Sequence, residues 1–109
     1  MPFNFNEYAK EACNIKYERY GFRILNPIVC ADGFTISVQA SKSHYCSPRE
    51  TGANEYHLVE CGYPSQAPEF ILQYAEDSEQ PTETVYGYVP VDLVNKLIDL
   101  HGGVKWIFL

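Results

Sequence analysis

The sequence predicts a single α+β domain, with an antiparallel sheet of four or five strands and two or three helices packed on one face. The chain has 109 residues, of which 46% are hydrophobic, and this is the size and composition of one domain with its own core. Its periodic segments follow the order α-β-β-β-α-β-α-β. Consecutive strands with helices placed around them are typical of α+β proteins, since a βαβ protein would alternate the two throughout.

The first element is predicted to be a helix from Asn6 to Tyr20. Asn4 or Asn6 can cap it, and Glu7 lies in the first turn, where the helix dipole favours an acid. Gly21 follows as a residue suited to ending the helix. Two rows of residues recur at the 3–4 spacing of a helix: Phe5, Ala9, Cys13 and Tyr17, and Tyr8, Ala12, Ile15 and Arg19.

Two strands follow this helix. Arg23 to Ala31 has strand composition, but Pro27 cannot donate to a ladder and therefore predicts an edge position or a bend. Asp32-Gly33 is a strong turn signal. Phe34 to Ala40 alternates apolar and polar residues and is the clearest strand in the chain.

The middle of the chain is predicted to be largely irregular. Ser41 to Asn54 reads as a long polar loop, a length that is often associated with function or mobility. Tyr56 to Cys61 reads as a strand, and Pro68 to Ala75 as a short helix with proline in its first turn. Glu76 to Glu83 reads as an acidic linker.

The last three elements are a strand, a helix and a strand. Thr84 to Val89 is rich in Thr, Val and Tyr, which favour strands. Pro90 suits the first turn of the next helix, and Gly102-Gly103 ends it. Val104 to Leu109 is the predicted final strand. An apolar stripe at helical spacing is expected to face the sheet: Leu93, Val94, Leu97 and Ile98.

The sequence contains no recognisable targeting or membrane-spanning segment. Its first residues lack a basic and then apolar signal pattern, and no apolar run approaches the roughly 18 residues that a membrane span needs. We therefore expect a cytoplasmic protein without membrane contact, in which the thiols are reduced. The four cysteines are Cys13, Cys30, Cys46 and Cys61.

Charge is distributed unevenly between the two halves of the chain. Residues 1–54 carry five acids and six bases, a net charge of +1. Residues 55–109 carry nine acids and two bases, a net charge of −7. A field of one sign repels nucleic acid and attracts basic protein surfaces. The charge therefore predicts a protein partner with a basic, nucleic-acid-binding surface, and no direct binding of nucleic acid.

The acidic segment and the tyrosines supply the candidate partner-binding residues. The chain has nine tyrosines, and tyrosine suits the wet rim of an interface because it has an apolar ring and a polar tip. Two alternatives stay open: tyrosine is common in strands, and the acidic segment can be a solvated connector. The candidates are Tyr63, Glu69, Tyr74, Glu76, Asp77, Glu79, Glu83, Tyr86 and Tyr88.

Two histidine–cysteine pairs are the alternative candidate for a site. His44 and Cys46, with His57 and Cys61, are residue types that hold Zn²⁺, although their spacing matches no standard zinc signature. Cys46 could also act as a nucleophile if a histidine lay beside it. The alternative is that both cysteines are ordinary buried residues. Because no phosphate loop or catalytic motif accompanies them, we expect neither catalysis nor a cofactor.

Four stretches of the chain resemble small uncharacterised proteins of bacteriophages and prophages, and the similarity extends from Asp32 to Gly103. The stretches are Phe34–Ser41, His44–Arg49, Val59–Ser65 and Val85–Val91. Small acidic phage proteins include many inhibitors of host defence, anti-CRISPR proteins among them. The resemblance carries over no catalytic residue.

Three functions therefore compete at the level of sequence. The resemblance and the charge favour an inhibitor that binds a host defence protein, above all a CRISPR effector, in the host cytoplasm. The second is a phage accessory enzyme or metal-binding protein centred on His44, Cys46, His57 and Cys61. The third is a structural or assembly protein of a phage.

Overall fold

The computed structural model describes residues 2–11, 15–19 and 22–105. This part of the chain contains two α-helices, six strands and one 3-10 turn. The elements are α1 (Phe5–Glu11), β1 (Ile15–Arg19), β2 (Phe22–Leu25), β3 (Ile28–Val29), β4 (Thr35–Gln39), β5 (Leu58–Gly62), the 3-10 turn (Leu72–Tyr74), β6 (Val85–Pro90) and α2 (Val91–Leu100).

The strands form a four-stranded antiparallel sheet and a separate two-stranded hairpin. The sheet has the order β3-β4-β5-β6, and β1 pairs with β2. Both helices contact each other, and α2 also contacts β6. Backbone N–H groups of Phe3 and Phe5 donate to the side chains of Asp99 and Asn95 on α2, at 2.8 and 2.9 Å. The predicted α+β fold is confirmed.

The core forms where the inward faces of the sheet meet the apolar stripe of α2. Side chains alternate along the strands, so every second residue of each central strand points inward. The predicted stripe on α2 is confirmed, with Leu93 only partly buried. The fully buried residues of these elements include Ile36, Val38, Val59, Cys61, Tyr86, Val89, Val94, Leu97 and Ile98.

The predicted helix from Asn6 to Tyr20 is wrong in its second half. Helix α1 ends at Glu11, and Ile15–Arg19 is a strand paired with β2. Residues 12–14, 20 and 21 lie outside the described residues, Gly21 among them. A 3–4 spacing of β-branched and aromatic residues supports a helix only weakly, and pairing with a second strand overrides it here.

A buried side chain attaches this hairpin to the sheet. The Gln39 amide lies at the end of β4, accepts the Leu25 N–H and donates to the Leu25 carbonyl, both at 2.8 Å. The Gln39 side-chain amide therefore pairs with the Leu25 backbone as a neighbouring strand would, because it offers a donor and an acceptor side by side.

Three further predictions change in detail. The helix expected from Pro68 to Ala75 is reduced to the single 3-10 turn, after Phe70 with its positive φ of 68°. Pro90 ends β6 instead of lying inside α2. Of the final strand, Val104 bridges Cys30, and residues 106–109 lie outside the described residues.

The strand register defines two ends of the sheet. Ser37 pairs with Gly62, and Gly62 pairs with Val85. The start of β4, the end of β5 and the start of β6 therefore lie together, next to the 76–83 loop, and we call this the acidic end. Gln39 pairs with Glu60 and Leu58 pairs with Pro90, so the 41–57 loop lies at the opposite end.

Candidate functional site

The 76–83 loop is ordered by hydrogen bonds to Thr84 and to the start of β6. The Glu76 N–H donates to the Val85 carbonyl at 3.0 Å, and the Asp77 N–H to the Thr84 hydroxyl at 3.1 Å. Within the loop, the Asp77 carboxylate accepts the Glu79 N–H at 3.1 Å. Such local carboxylate bonds hold a turn in one conformation. The predicted acidic linker is thus a structured loop that presents its side chains from fixed positions.

The carboxylates of this loop are exposed and, in the part of the chain that the structure describes, form no ion pair. The side chains of Glu76, Asp77, Glu79 and Glu83 are exposed. Among the described residues, no lysine or arginine forms an ion pair with any of them. The chain from residue 50 to residue 95 has nine acids and no lysine or arginine. Their field therefore extends into solvent at this end of the sheet.

Glu69 differs from the other predicted acids because its carboxylate is already bonded. It lies 3.0 Å from Nε2 of His101. Its own backbone N–H and the His101 contact hold its pKa below the ordinary value. Glu69 therefore adds less free charge to the acidic end than the four carboxylates of the 76–83 loop.

The structure places Tyr63 beside the acidic loop. Its side chain is 60% exposed, and its N–H donates to the Thr84 carbonyl at 3.1 Å. Its backbone has a positive φ of 50°, a conformation that a bulky residue adopts only when its surroundings impose it. Tyr74 lies half-buried against the core, so of these two predicted anchors Tyr63 is the one with an exposed ring.

Tyr86 is buried in the core, which corrects its predicted place on an exposed partner-binding surface. Its side chain is 0% exposed, and its hydroxyl donates to the Pro81 carbonyl. Tyr86 occupies an inward-facing position of β6, between outward-facing neighbours. Strict alternation along this strand would put Tyr86 and Tyr88 on the same face, so only the bulge in the pairing with β5 separates them.

Tyr88 belongs to a different surface from Tyr63. Val59 pairs with Val89 and Cys61 pairs with Tyr86, so two residues of β6 bulge opposite Glu60. Tyr88 lies in this bulge with a φ of 53°, and its N–H donates to the Tyr45 carbonyl at 3.0 Å. The bulge turns the Tyr88 ring towards the 41–57 loop and away from the acidic end.

Tyr45 and Tyr88 form an exposed aromatic pair on this second surface. Their ring centroids are 5.9 Å apart, and the Arg49 guanidinium lies 5.7 Å from the Tyr45 ring. A β-carbon at Gly87 would lie 3.4 Å from the Tyr45 β-carbon and 3.7 Å from its ring, so Tyr45 packs directly over this part of β6. The predicted anchors therefore lie on two surfaces rather than one.

The histidine–cysteine set does not assemble into a site. The His44 ring bonds to the Ser41 hydroxyl at 2.6 Å, and the Cys46 thiol donates to the Ser41 carbonyl at 3.1 Å. Cys61 is buried in the sheet, whereas His57 is exposed. Across the described part of the chain, no group of three or more His, Cys, Asp or Glu residues could hold a metal ion.

Cys46 also lacks the surroundings of a nucleophile. Burial raises the pKa of its thiol, which favours the unreactive protonated form. The Cys46 thiol donates to the Ser41 and Pro48 carbonyls, and within the described residues no side-chain hydrogen bond joins it to His44 or His57. The geometry that a cysteine–histidine pair requires is therefore not formed.

Thiol labelling should show that all four cysteines are free and that most are protected by the fold. Cys30, Cys46 and Cys61 are buried free thiols, and Cys13 lies outside the described residues. In the denatured, non-reduced protein all four thiols should react with the label, whereas in the native protein the three buried thiols should react slowly. Disulfides in the denatured sample, or fast native labelling of Cys61, would contradict this prediction.

His101 is a buried polar residue whose role the sequence did not indicate. Its ring is stacked on Phe34, with centroids 4.0 Å apart and 11° between the planes. One ring nitrogen lies 2.6 Å from Asp32, and the other contacts Glu69. The sequence placed His101 only in the last turn of a helix, because its partners come from segments distant along the chain.

Comparisons with known proteins give no further assignment. No protein-family model, no curated protein and no solved structure matches this chain. Within the described residues, the longest helix has 10 residues, and none is long and apolar enough to cross a membrane.

Proposed function

We propose that this protein binds a basic, nucleic-acid-binding surface of another protein through its acidic end. The observation that carries the proposal is the ordered 76–83 loop, whose exposed carboxylates form no ion pair with a lysine or arginine among the described residues. Carboxylates can occupy the positions of phosphates, because both offer anionic oxygens to arginine forks. By occupying such a surface, the protein would exclude the nucleic acid and inhibit its partner.

The resemblance to phage proteins supports a host defence protein as the partner, and a CRISPR effector is the first to test. This proposal places the protein in the cytoplasm of the host cell. It includes no chemical step, cofactor or direct contact with nucleic acid, and the net charge of −6 supports the last point. No observation favours the enzyme or metal-binding alternative.

The two kinds of side chain at the acidic end would contribute differently to binding. Exposed ion pairs are worth only about 0–1 kcal/mol each, whereas a buried aromatic anchor can contribute more than about 2 kcal/mol. Tyr63 is therefore the expected source of affinity. The carboxylates should mainly accelerate association, and salt should weaken that effect.

The combined reversal of Glu76→Lys and Glu79→Lys should slow association with the basic partner. We expect a decrease of about tenfold or more in the association rate constant at low salt, and a smaller one at high salt. Asp77 is retained because its carboxylate accepts the Glu79 N–H. The measurement is stopped-flow binding to a purified CRISPR effector of the host, together with displacement of labelled DNA from that effector.

The matched control is Glu50→Lys with Glu55→Lys at the opposite end of the sheet. Both residues are exposed, and both double variants change the net charge from −6 to −2. The control should bind nearly as fast as the natural protein. Equal slowing by both pairs would show that net charge acts without a specific site. If the effector neither bound the protein nor released its labelled DNA, this effector would be excluded as the partner.

A further inference from the structure

His101 makes two hydrogen bonds to carboxylates on opposite sides of its ring. Nδ1 lies 2.6 Å from Oδ2 of Asp32, and Nε2 lies 3.0 Å from Oε1 of Glu69. The side chain of His101 is 7% exposed, so water cannot substitute freely for either partner. Three distant segments meet at this ring: the turn at Asp32, the loop at Glu69 and the end of α2.

The two bonds together define the protonation state of the ring. A neutral imidazole carries one N–H and one lone pair, and an ionised carboxylate only accepts hydrogen bonds. A neutral ring would therefore direct a lone pair at one of the carboxylate oxygens. Both contacts are favourable at the same time only when both ring nitrogens carry a proton.

We propose that His101 is a proton-operated clamp, whose charged ring holds the Asp32 turn and the Glu69 loop together and releases the Glu69 loop when it is deprotonated. This inference goes beyond the proposed function and does not depend on it.

The loop at Glu69 is the side that opens, because the Asp32 side has additional bonds. The other oxygen of Asp32 accepts the Phe34 N–H at 2.9 Å, and the Asp32 N–H donates to the His101 carbonyl at 3.2 Å. Apart from His101, the Glu69 carboxylate bonds only to its own backbone N–H among the described residues, and its side chain is 39% exposed. A neutral ring keeps its single proton for Asp32, and the Glu69 carboxylate turns towards water.

The ionisable groups around the ring support a clamp that is closed below the raised pKa of His101 and above the carboxyl range. Burial alone lowers the pKa of His101, but the bonds to Asp32 and Glu69 outweigh it, so the pKa lies above the ordinary value of 6.5. The N–H of Phe34, followed by His101, holds the pKa of Asp32 below its ordinary value. These are the only two charged groups facing the ring within the described residues.

The other ionisable groups near the ring do not compete with Asp32 and Glu69 for its protons. Burial, with a smaller effect from Asp32, raises the pKa of Cys30 to about 11, so its thiol stays neutral. On α2, the Asp99 carboxylate accepts the Phe3 N–H, and the Lys96 ammonium lies 4.6 Å from the Phe70 ring.

The direction of the pH dependence follows from these shifts. The contribution of His101 to stability is complete below its unfolded pKa of 6.5 and is lost as the pH rises through its raised folded pKa. The contributions of Asp32 and Glu69 are lost as the pH falls below their ordinary values of 3.8 and 4.5. The clamp is therefore strongest between the carboxyl range and 6.5.

Nitrogen-15 NMR of the imidazole rings tests the protonation state directly. His101 should show two protonated ring nitrogens at about pH 6 and titrate above the ordinary histidine value. His44 is an internal control with the opposite shift, because burial lowers its pKa. A His101 ring that is neutral at about pH 6, or that titrates below the ordinary value, would overturn the proposal.

Amide hydrogen exchange tests the release of the loop. The Ile71 N–H donates to the Glu69 carbonyl at 2.9 Å and reports on this segment. Between about pH 6 and about pH 9, after correction for intrinsic exchange, its protection should fall by roughly tenfold for each unit by which the His101 pKa is raised. Glu69→Gln should abolish this pH dependence and lower the His101 pKa.

The matched control is His57→Gln, which removes an exposed histidine and should leave both readouts unchanged. Protection of Ile71 that does not vary with pH in the natural protein would overturn the clamp. The clamp would also be overturned if the protection of Ile71 fell with pH in Glu69→Gln as much as in the natural protein, because the loss would then not depend on the Glu69 bond.

Discussion

Replacing Tyr86 with alanine should lower the free energy of unfolding by about 3–5 kcal/mol, the range seen for deletion of large buried aromatic residues. The ring is fully buried in the core cluster. Its backbone also pairs with both Cys61 and Ala75, so the surrounding strands cannot easily collapse into the cavity. Chemical denaturation of the natural and variant proteins measures the difference.

Tyr86→Phe is the matched control for this experiment. It keeps the ring and removes only the hydroxyl that donates to the Pro81 carbonyl, so the expected loss is about 1 kcal/mol. If Tyr86→Ala were instead as stable as the natural protein and failed to bind the partner, Tyr86 would be a surface anchor and the described core would be wrong.

Leu97→Ala should destabilise the protein by about 2–5 kcal/mol. Leu97 is 0% exposed and lies in the middle of the apolar face of α2, between Val94 and Ile98. Removing most of its side chain leaves a cavity where the helix meets the sheet. The same denaturation measurement gives the change in the free energy of unfolding.

Leu100→Ala on the same helix is the control, because it removes the same atoms from a side chain that is 54% exposed. We expect its effect to stay within about 0.5 kcal/mol. A similar loss of unfolding free energy at both positions would show that the helix propensity of leucine, and not its packing, determines the effect. It would also argue against the described orientation of α2.

The candidate site was predictable only in part. The exposure of the acidic loop follows from its composition, whereas Tyr63 lies next to the loop because β5 pairs with β6. The binding role of both stays a prediction. Tyr86 and Tyr88 were assigned to the same surface, although one faces the core and the other lies in a bulge. Which way a strand residue faces depends on register, and register is set by the partner strand.

The sequence by itself determined the elements in which local pattern and backbone chemistry agree. The alternation in β4 and the apolar spacing in α2, ended by glycine, specify those elements without help from the rest of the chain. The charge asymmetry is likewise a property of composition.

Only the tertiary structure decided the features that depend on partners far along the chain. Ile15–Arg19 is a strand because β2 is there to pair with it. His101 makes two side-chain hydrogen bonds because folding brings Asp32 and Glu69 to opposite sides of its ring. Asp32 is 69 residues away in the sequence and Glu69 is 32 residues away. Such contacts leave no periodic signal, since each joins single residues from different segments, and their energy exists only in the folded chain.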